Sequence, residues 1–171
     1  MLLKFGDFTV DVDRDRTELF YKELKTTGEC CSCRGCQNFD KAILRSPKEV
    51  MHFFDSLGID PCKPAEACDA AGEILDDGTI YYWGFYHICG NLINAPECFR
   101  RGSPETQETA DMQKDSMFYI GECKDFSFAF TDGVAMLEPG FPEPCIQLEF
   151  DMYLPCAVAG LYETKEPIKR I

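Results

Sequence analysis

Polar and apolar positions follow two periods along this chain, helical through most of the first half and strand-like through the second. Residues 3–12 open with strand character, Phe8 and Val10 alternating with Thr9 and Asp11. Around Asp13 the spacing turns helical. Leu19, Phe20 and Leu24 form an apolar stripe, Glu18 and Lys22 an i,i+4 pair, and Gly28 is placed to end the helix. Ser46-Pro47-Lys48-Glu49 predicts a capping box with proline at the first helical position. Val50, Phe53, Phe54 and Leu57 supply that helix with a buried face, and Gly58 stops it. Pro61 and Pro64 punctuate the next loop, and Pro64-Ala65-Glu66-Ala67 is expected to open a short helix.

From residue 76 the period becomes two. Asp77-Gly78 marks a turn, and residues 81–89 are apolar or aromatic on both faces, as in a central strand. Residues 95–114 are polar and rich in Pro, Gly, Glu and Thr, which predicts a long surface loop. Strands are expected over 117–122, over 126–131 with Phe126, Phe128 and Phe130 on one face, and over 145–154. In the last, Ile146, Leu148, Phe150, Met152 and Leu154 point inward, while Gln147, Glu149 and Asp151 point to a wet face. This predicts one α+β domain over residues 1–171, its helices mainly in the N-terminal half and packed on a mainly antiparallel sheet from the C-terminal half.

Charge narrows the function. Seventeen basic residues stand against 30 acidic ones, a net charge of −13, with no basic cluster. That field disfavours nucleic acid and anionic membrane surfaces as partners. The opening Met1-Leu2-Leu3-Lys4-Phe5-Gly6-Asp7 has no apolar run of signal-peptide length, no stretch reaches membrane-span length, and no Asn-x-Ser/Thr sequon occurs. A cytoplasmic protein is the expectation.

The chemistry concentrates in the cysteines. There are 11, and four of them, Cys30, Cys31, Cys33 and Cys36, crowd into one short stretch. In a reducing compartment such a cluster points to metal ligation or redox chemistry. Cys33-x-x-Cys36 has the spacing at which two thiolates chelate one tetrahedral ion, and Gly35 helps the turn. Adjacent side chains at Cys30 and Cys31 tend to point apart, so one of the two is expected as third ligand. The ligand set expected for zinc is then Cys30, Cys33 and Cys36 with His87, while Cys62, Cys68 and Cys89 are other candidates for the fourth position. The alternative is a redox dithiol at Cys33 and Cys36, although the segment before it looks helical rather than extended. Iron–sulfur spacings do not match. Most of the seven cysteines outside the cluster suit the role of small buried hydrophobes.

Other constellations are weaker. Asp11-x-Asp13-x-Asp15 resembles the start of a calcium loop, but Arg16 and Lys22 stand where glycine and glutamate are required, which leaves a charged turn capping the next helix. His87 shares a strand face with Trp83, Phe85 and Cys89, where a hydrogen-bonded core or cleft histidine is the plainer role. His52 belongs on the solvent edge of its helix. No Ser-His-Asp arrangement and no Gly-rich phosphate loop is present, so no catalytic residue is assigned. Tyr82, Trp83 and Tyr86, with Asn38, form a possible ligand surface; a plain aromatic core is the alternative.

Taken in order, Cys33-x-x-Cys36-x-Asn38-Phe39, Phe53-Phe54-x-x-Leu57-Gly58-Ile59-Asp60, Lys63-Pro64-Ala65-Glu66 and Tyr82-x-Gly84-x-Tyr86-His87 resemble a family of small uncharacterised bacterial proteins. The similarity is good over residues 20–90 and weak over the later strands. It implies a bacterial cytoplasmic protein and directs attention to Cys33, Cys36, Asn38 and His87, with no catalytic role attached. Physically, Asn38 would bond backbone groups to lock a cysteine knuckle over residues 30–39, and Phe39 would anchor it to the core. The function expected is a zinc-binding structural or interaction module whose partner is a protein or small ligand. A thiol–disulfide redox protein or sensor is the alternative, and whether the chain is an enzyme stays open.

Overall fold

Leu2–Phe5 (β1) and Phe8–Val12 (β2) form an antiparallel hairpin, so the opening strand pattern divides in two. The computed structural model describes residues 1–69 and 72–160. Its architecture is α+β. After the hairpin come helices Arg14–Glu23 (α1), Thr27–Cys30 (α2), Arg34–Ile43 (α3) and Lys48–Leu57 (α4), then strands Glu66–Asp69 (β3) and Thr79–Asn94 (β4). A 3-10 turn at Glu97–Phe99 precedes helix Gln107–Asp115 (α5) and strands Phe118–Tyr119 (β5), Phe126–Thr131 (β6) and Cys145–Pro155 (β7). The seven strands form one antiparallel sheet in the order β1-β2-β4-β7-β6-β5, with β3 also on β4.

β4 organises the sheet. One of its edges pairs with β7 from Thr79 to Cys89; the other takes β3 at Tyr82–Phe85 and β2 at Gly90–Asn94. The first half of the chain thus supplies three strands, more than the single opening strand expected over residues 3–12, so the sheet draws less exclusively on the C-terminal half than expected. Residues 66–69 are strand rather than helix for the same reason: the backbone edge of β4 needs partners, and β3 meets that need. Part of the loop expected over 95–114 is ordered, as the 3-10 turn with buried Cys98 and Phe99 and as α5. β5 is much shorter than the strand expected over 117–122.

The inner face of the sheet is apolar throughout. Ile80, Tyr82, Tyr86 and Ile88 of β4, the inward residues of β7, and Phe126, Phe128 and Phe130 meet Phe39 and Ile43 of α3 and Val50, Phe53, Phe54 and Leu57 of α4. The sheet curls around α4. Phe53 lies 4.2 Å from Phe128 between ring centroids, and Phe5 of the edge strand β1 reaches to 5.7 Å from Phe130. Gly58 ends α4 in the left-handed conformation at φ 75°, as expected of a glycine stop. The capping box is absent: Pro47 occupies the N-cap without a side-chain bond, and Ser46 finishes the preceding turn by donating its N–H to the Ile43 carbonyl.

α1 corrects a second expectation. Its buried residues are Thr17 and Tyr21, while Leu19 is 64% exposed. The helix docks through polar tips: the Tyr21 hydroxyl donates to the His87 carbonyl at 3.1 Å, and Cys89 N–H donates to Thr17 Oγ1 at 3.0 Å. Asp13 caps α1 by accepting from Arg16 N–H, in keeping with a charged turn. Gly28 lies inside α2 rather than ending α1.

The outer face was expected to be wet, yet Gln147 is only 4% exposed. Residues 132–141 fold across it. His87 and Gln147, register partners on β4 and β7, grip the same residue of that loop. Ala135 accepts from His87 Nε2 at 2.8 Å and donates its N–H to Gln147 Oε1 at 2.9 Å.

Candidate metal centre

The cysteine stretch is shaped by two short helices that meet across an extended link. Thr26 begins α2 with a reciprocal capping box to Glu29, and α2 ends at Cys31, which is extended at φ −123°. Cys33 is the N-cap of α3, and its sulfur accepts from Cys36 N–H at 3.4 Å. Asp40, one turn further along α3, holds the start of α2 in place. Its carboxylate accepts from Thr26 Oγ1 at 2.5 Å, Thr27 Oγ1 at 2.6 Å and Gly28 N–H at 2.9 Å. That clamp swings Cys31 against the first turn of α3.

The result is a sulfur triangle. The Sγ atoms of Cys31, Cys33 and Cys36 all lie within 4.8 Å of one another, close enough to hold one metal ion. Tetrahedral zinc with bonds of about 2.3 Å to each sulfur needs separations a little shorter than this. Cys30, the third thiol in the expected ligand set, is exposed and stands outside the triangle; Cys31 takes its place. The physical reason is the backbone. Cys30 is the last residue of α2, while Cys31 has left the helix and is extended.

Cys31 and Cys36 differ in their electrostatics. Cys31 is held below the usual thiol range, first by an N–H from the Cys33 backbone and then by hydrogen bonds from the Cys33 and Cys36 side chains. Cys36 is pushed well up, first by burial and then by the neighbouring sulfurs. The N-terminus of α3 adds a partial positive charge that favours thiolates.

Beside the triangle lies a cavity of about 280 Å³, walled by Cys30, Cys31, Cys36, Lys63, Glu66, His87, Glu138 and Phe141 among others. His87 shares this cavity with the cluster but does not join the sulfur group. It is buried, its Nε2 is occupied by the Ala135 carbonyl, and desolvation holds its pKa below 6.5. The other fourth-ligand candidates also lie outside the group. The Cys62 thiol faces the Asp40 carbonyl at 3.7 Å and burial pushes it up to about 12; Cys68 donates to Glu66 Oε1 at 3.3 Å; Cys89 is buried under α1.

The expected ligand surface divides. Tyr82, Tyr86 and Asn38 are fully buried, and only Trp83, at 43%, presents an exposed ring. Tyr82 serves the knuckle from below: its hydroxyl donates to the Gly35 carbonyl at 3.1 Å and accepts from Asn38 Nδ2 at 3.1 Å. Asn38 locks a different segment from the one expected. Its Oδ1 accepts from the N–H groups of Ala157 and Val158, tying the chain after β7 to α3. Phe39 anchors α3 as foreseen, 5.3 Å from the Tyr82 ring. Gly35 makes room for the Asp69 carboxylate, since a Cβ there would sit 2.5 Å from Oδ2 and the Asp69 side chain would have to move. Asp40 and Gln147 were missed. A Thr-Thr-Gly run able to satisfy a carboxylate was the local signal for Asp40, and no local signal marks Gln147.

Comparison with family models, with curated proteins and with solved structures finds no match to this chain. No helix among the described residues is long and apolar enough to cross a membrane.

Proposed function

We propose that this protein is a metal-binding module in which Cys31, Cys33 and Cys36 hold zinc, with the fourth position turned toward the adjoining cavity. The observation that carries this reading is the sulfur triangle itself, three soft donors within 4.8 Å built by a helix N-cap and a side-chain clamp. Thiolate donors in a compact set favour zinc over hard cations such as calcium or magnesium. Cys31 and Cys36 line the cavity wall, so a donor from a small ligand or from a protein partner completes the tetrahedron there. The metal would fix the link between α2 and α3, a structural and interaction role in a bacterial cytoplasmic protein.

A second reading has its own support. Cys33 and Cys36 occupy the N-cap and first turn of a helix, the setting in which dithiols cycle with disulfides. One experiment separates the two: elemental analysis of protein purified without a metal-affinity column, with thiol alkylation before and after a chelator. About one zinc per chain is expected, with Cys31, Cys33 and Cys36 protected until the chelator is added and Cys30 reactive throughout. The double variant Cys33→Ser, Cys36→Ser should lose the metal and melt at lower temperature. Metal-free protein with a reversible Cys33–Cys36 disulfide would overturn the zinc reading in favour of the redox one.

A further inference from the structure

Away from the sulfur triangle, Cys89 on β4 and Cys145 on β7 face each other in the strand register, and they are the one such cysteine pair among the described residues. The adjacent ladder bond runs from Gly90 N–H to the Pro144 carbonyl at 2.8 Å. That bond lies one residue beyond Cys89 and one before Cys145, the pattern that brackets a non-hydrogen-bonded antiparallel pair. Such pairs hold their Cα atoms about 4.5 Å apart, with both side chains on one face and closer together than in hydrogen-bonded pairs. A disulfide spans Cα separations of roughly 4.4–6.8 Å without moving the backbone. Both thiols are free, Cys89 fully buried and Cys145 half-buried. Burial holds the Cys145 thiol up to about 11, and the charge of Cys89 pushes in the same direction, as expected of neighbouring sulfurs.

We propose that Cys89 and Cys145 form a reversible cross-strand disulfide when the protein meets a peroxide. The more accessible Cys145 attacks through the minor thiolate fraction that burial leaves it, so the step is slow and speeds up at alkaline pH. It takes one peroxide oxygen to become a sulfenic acid, and the other oxygen leaves as water after protonation. Cys89 then attacks the sulfenic sulfur, the S–S bond forms, and the hydroxyl departs as a second water. Two thiols are oxidised by two electrons and one peroxide is reduced to two waters. A small thiol reverses the bond by exchange. The link would close two residues along each strand from His87 and Gln147, which grip the Ala135 loop over the cavity. It is independent of any metal at the triangle.

The test oxidises the full chain with hydrogen peroxide, blocks the remaining thiols and maps chymotryptic peptides by mass spectrometry. Cleavage after Leu92 separates Cys89 from Cys98, and cleavage after aromatic residues separates it from the clustered cysteines. The expected result is a peptide pair joined through Cys89 and Cys145 that dithiothreitol releases. Oxidised wild type should also melt about 5–10 °C above Cys145→Ser protein treated identically, since the bond closes the long chain segment between the strands. Cys89→Ala should lose the linked pair as well. Cys145 recovered as sulfinic acid, or joined to a different cysteine while Cys89 stays unlinked, would overturn the proposal. Oxidation within the triangle appears on other peptides and is scored separately.

Discussion

The two faces of the central sheet are held by different forces. On the inner face, every second residue of β4, β6 and β7 is apolar and packs against α3 and α4, so the contact is broad and non-directional. On the outer face and along the α3 seam, a few side chains do the holding: His87 and Gln147 on Ala135, Asn38 on Ala157 and Val158, Asp40 on the start of α2. An apolar face tolerates a change of shape and loses stability in proportion to volume. A polar clasp fails at once when one partner is removed, and the failure stays local. The candidate metal centre and its cavity sit on the clasped side.

Removing an aromatic from the inner face should have the largest effect. Phe54 is fully buried, 5.1 Å from the Tyr86 ring, and Phe54→Ala should cost about 3–5 kcal/mol of unfolding free energy in a denaturant titration. A loss below 1 kcal/mol would mean that this face is not the main store of stability. Asn38→Ala should cost less, about 2 kcal/mol, because it strands the N–H groups of Ala157 and Val158. Its signature is local: amide exchange at those two positions should rise more than exchange in β4. Equal loosening of both regions would abolish the distinction between clasp and core.

The smallest effect is a slope with pH. The folded-state pKa of His87 is depressed by burial, opposed by the Ala135 carbonyl and the Glu138 charge. The unfolded chain therefore binds the proton first as pH falls. The stability that His87 contributes is complete above its ordinary value of 6.5 and declines below it, toward the folded pKa. Glu149 works in the opposite sense, since burial raises its carboxyl pKa and acidification relieves the cost. His87→Gln should remove the decline below 6.5 and leave the Glu149 trend. An unchanged profile in that variant would show that His87 does not titrate with unfolding.

How far the site was legible follows the same division. Cys33 and Cys36 were marked by their spacing, and Phe39 by its place after them. Choosing between Cys30 and Cys31 depended on where α2 ends, which the Asp40 clamp decides from ten residues downstream. Trp83 kept an exposed ring, whereas Tyr82 and Tyr86 went into the core because their strand face is the one α3 and α4 cover. Leu19 was read into an apolar stripe, yet it is exposed, and the helix docks instead through the hydroxyls of Thr17 and Tyr21 on a strand backbone.

By itself the sequence determined the class, the α4 face, the inward residues of β6 and β7, the glycine stop at Gly58 and the crowding of thiols after residue 30. All of these rest on period and local stereochemistry, which neighbouring residues settle among themselves. The tertiary structure alone decided that residues 66–69 become a strand, that the face bearing Gln147 is covered, that Cys31 joins Cys33 and Cys36, and that Cys89 meets Cys145 across two strands. Each of those depends on a partner far along the chain, and a pairing between distant residues leaves no period in either segment for a local pattern to reveal.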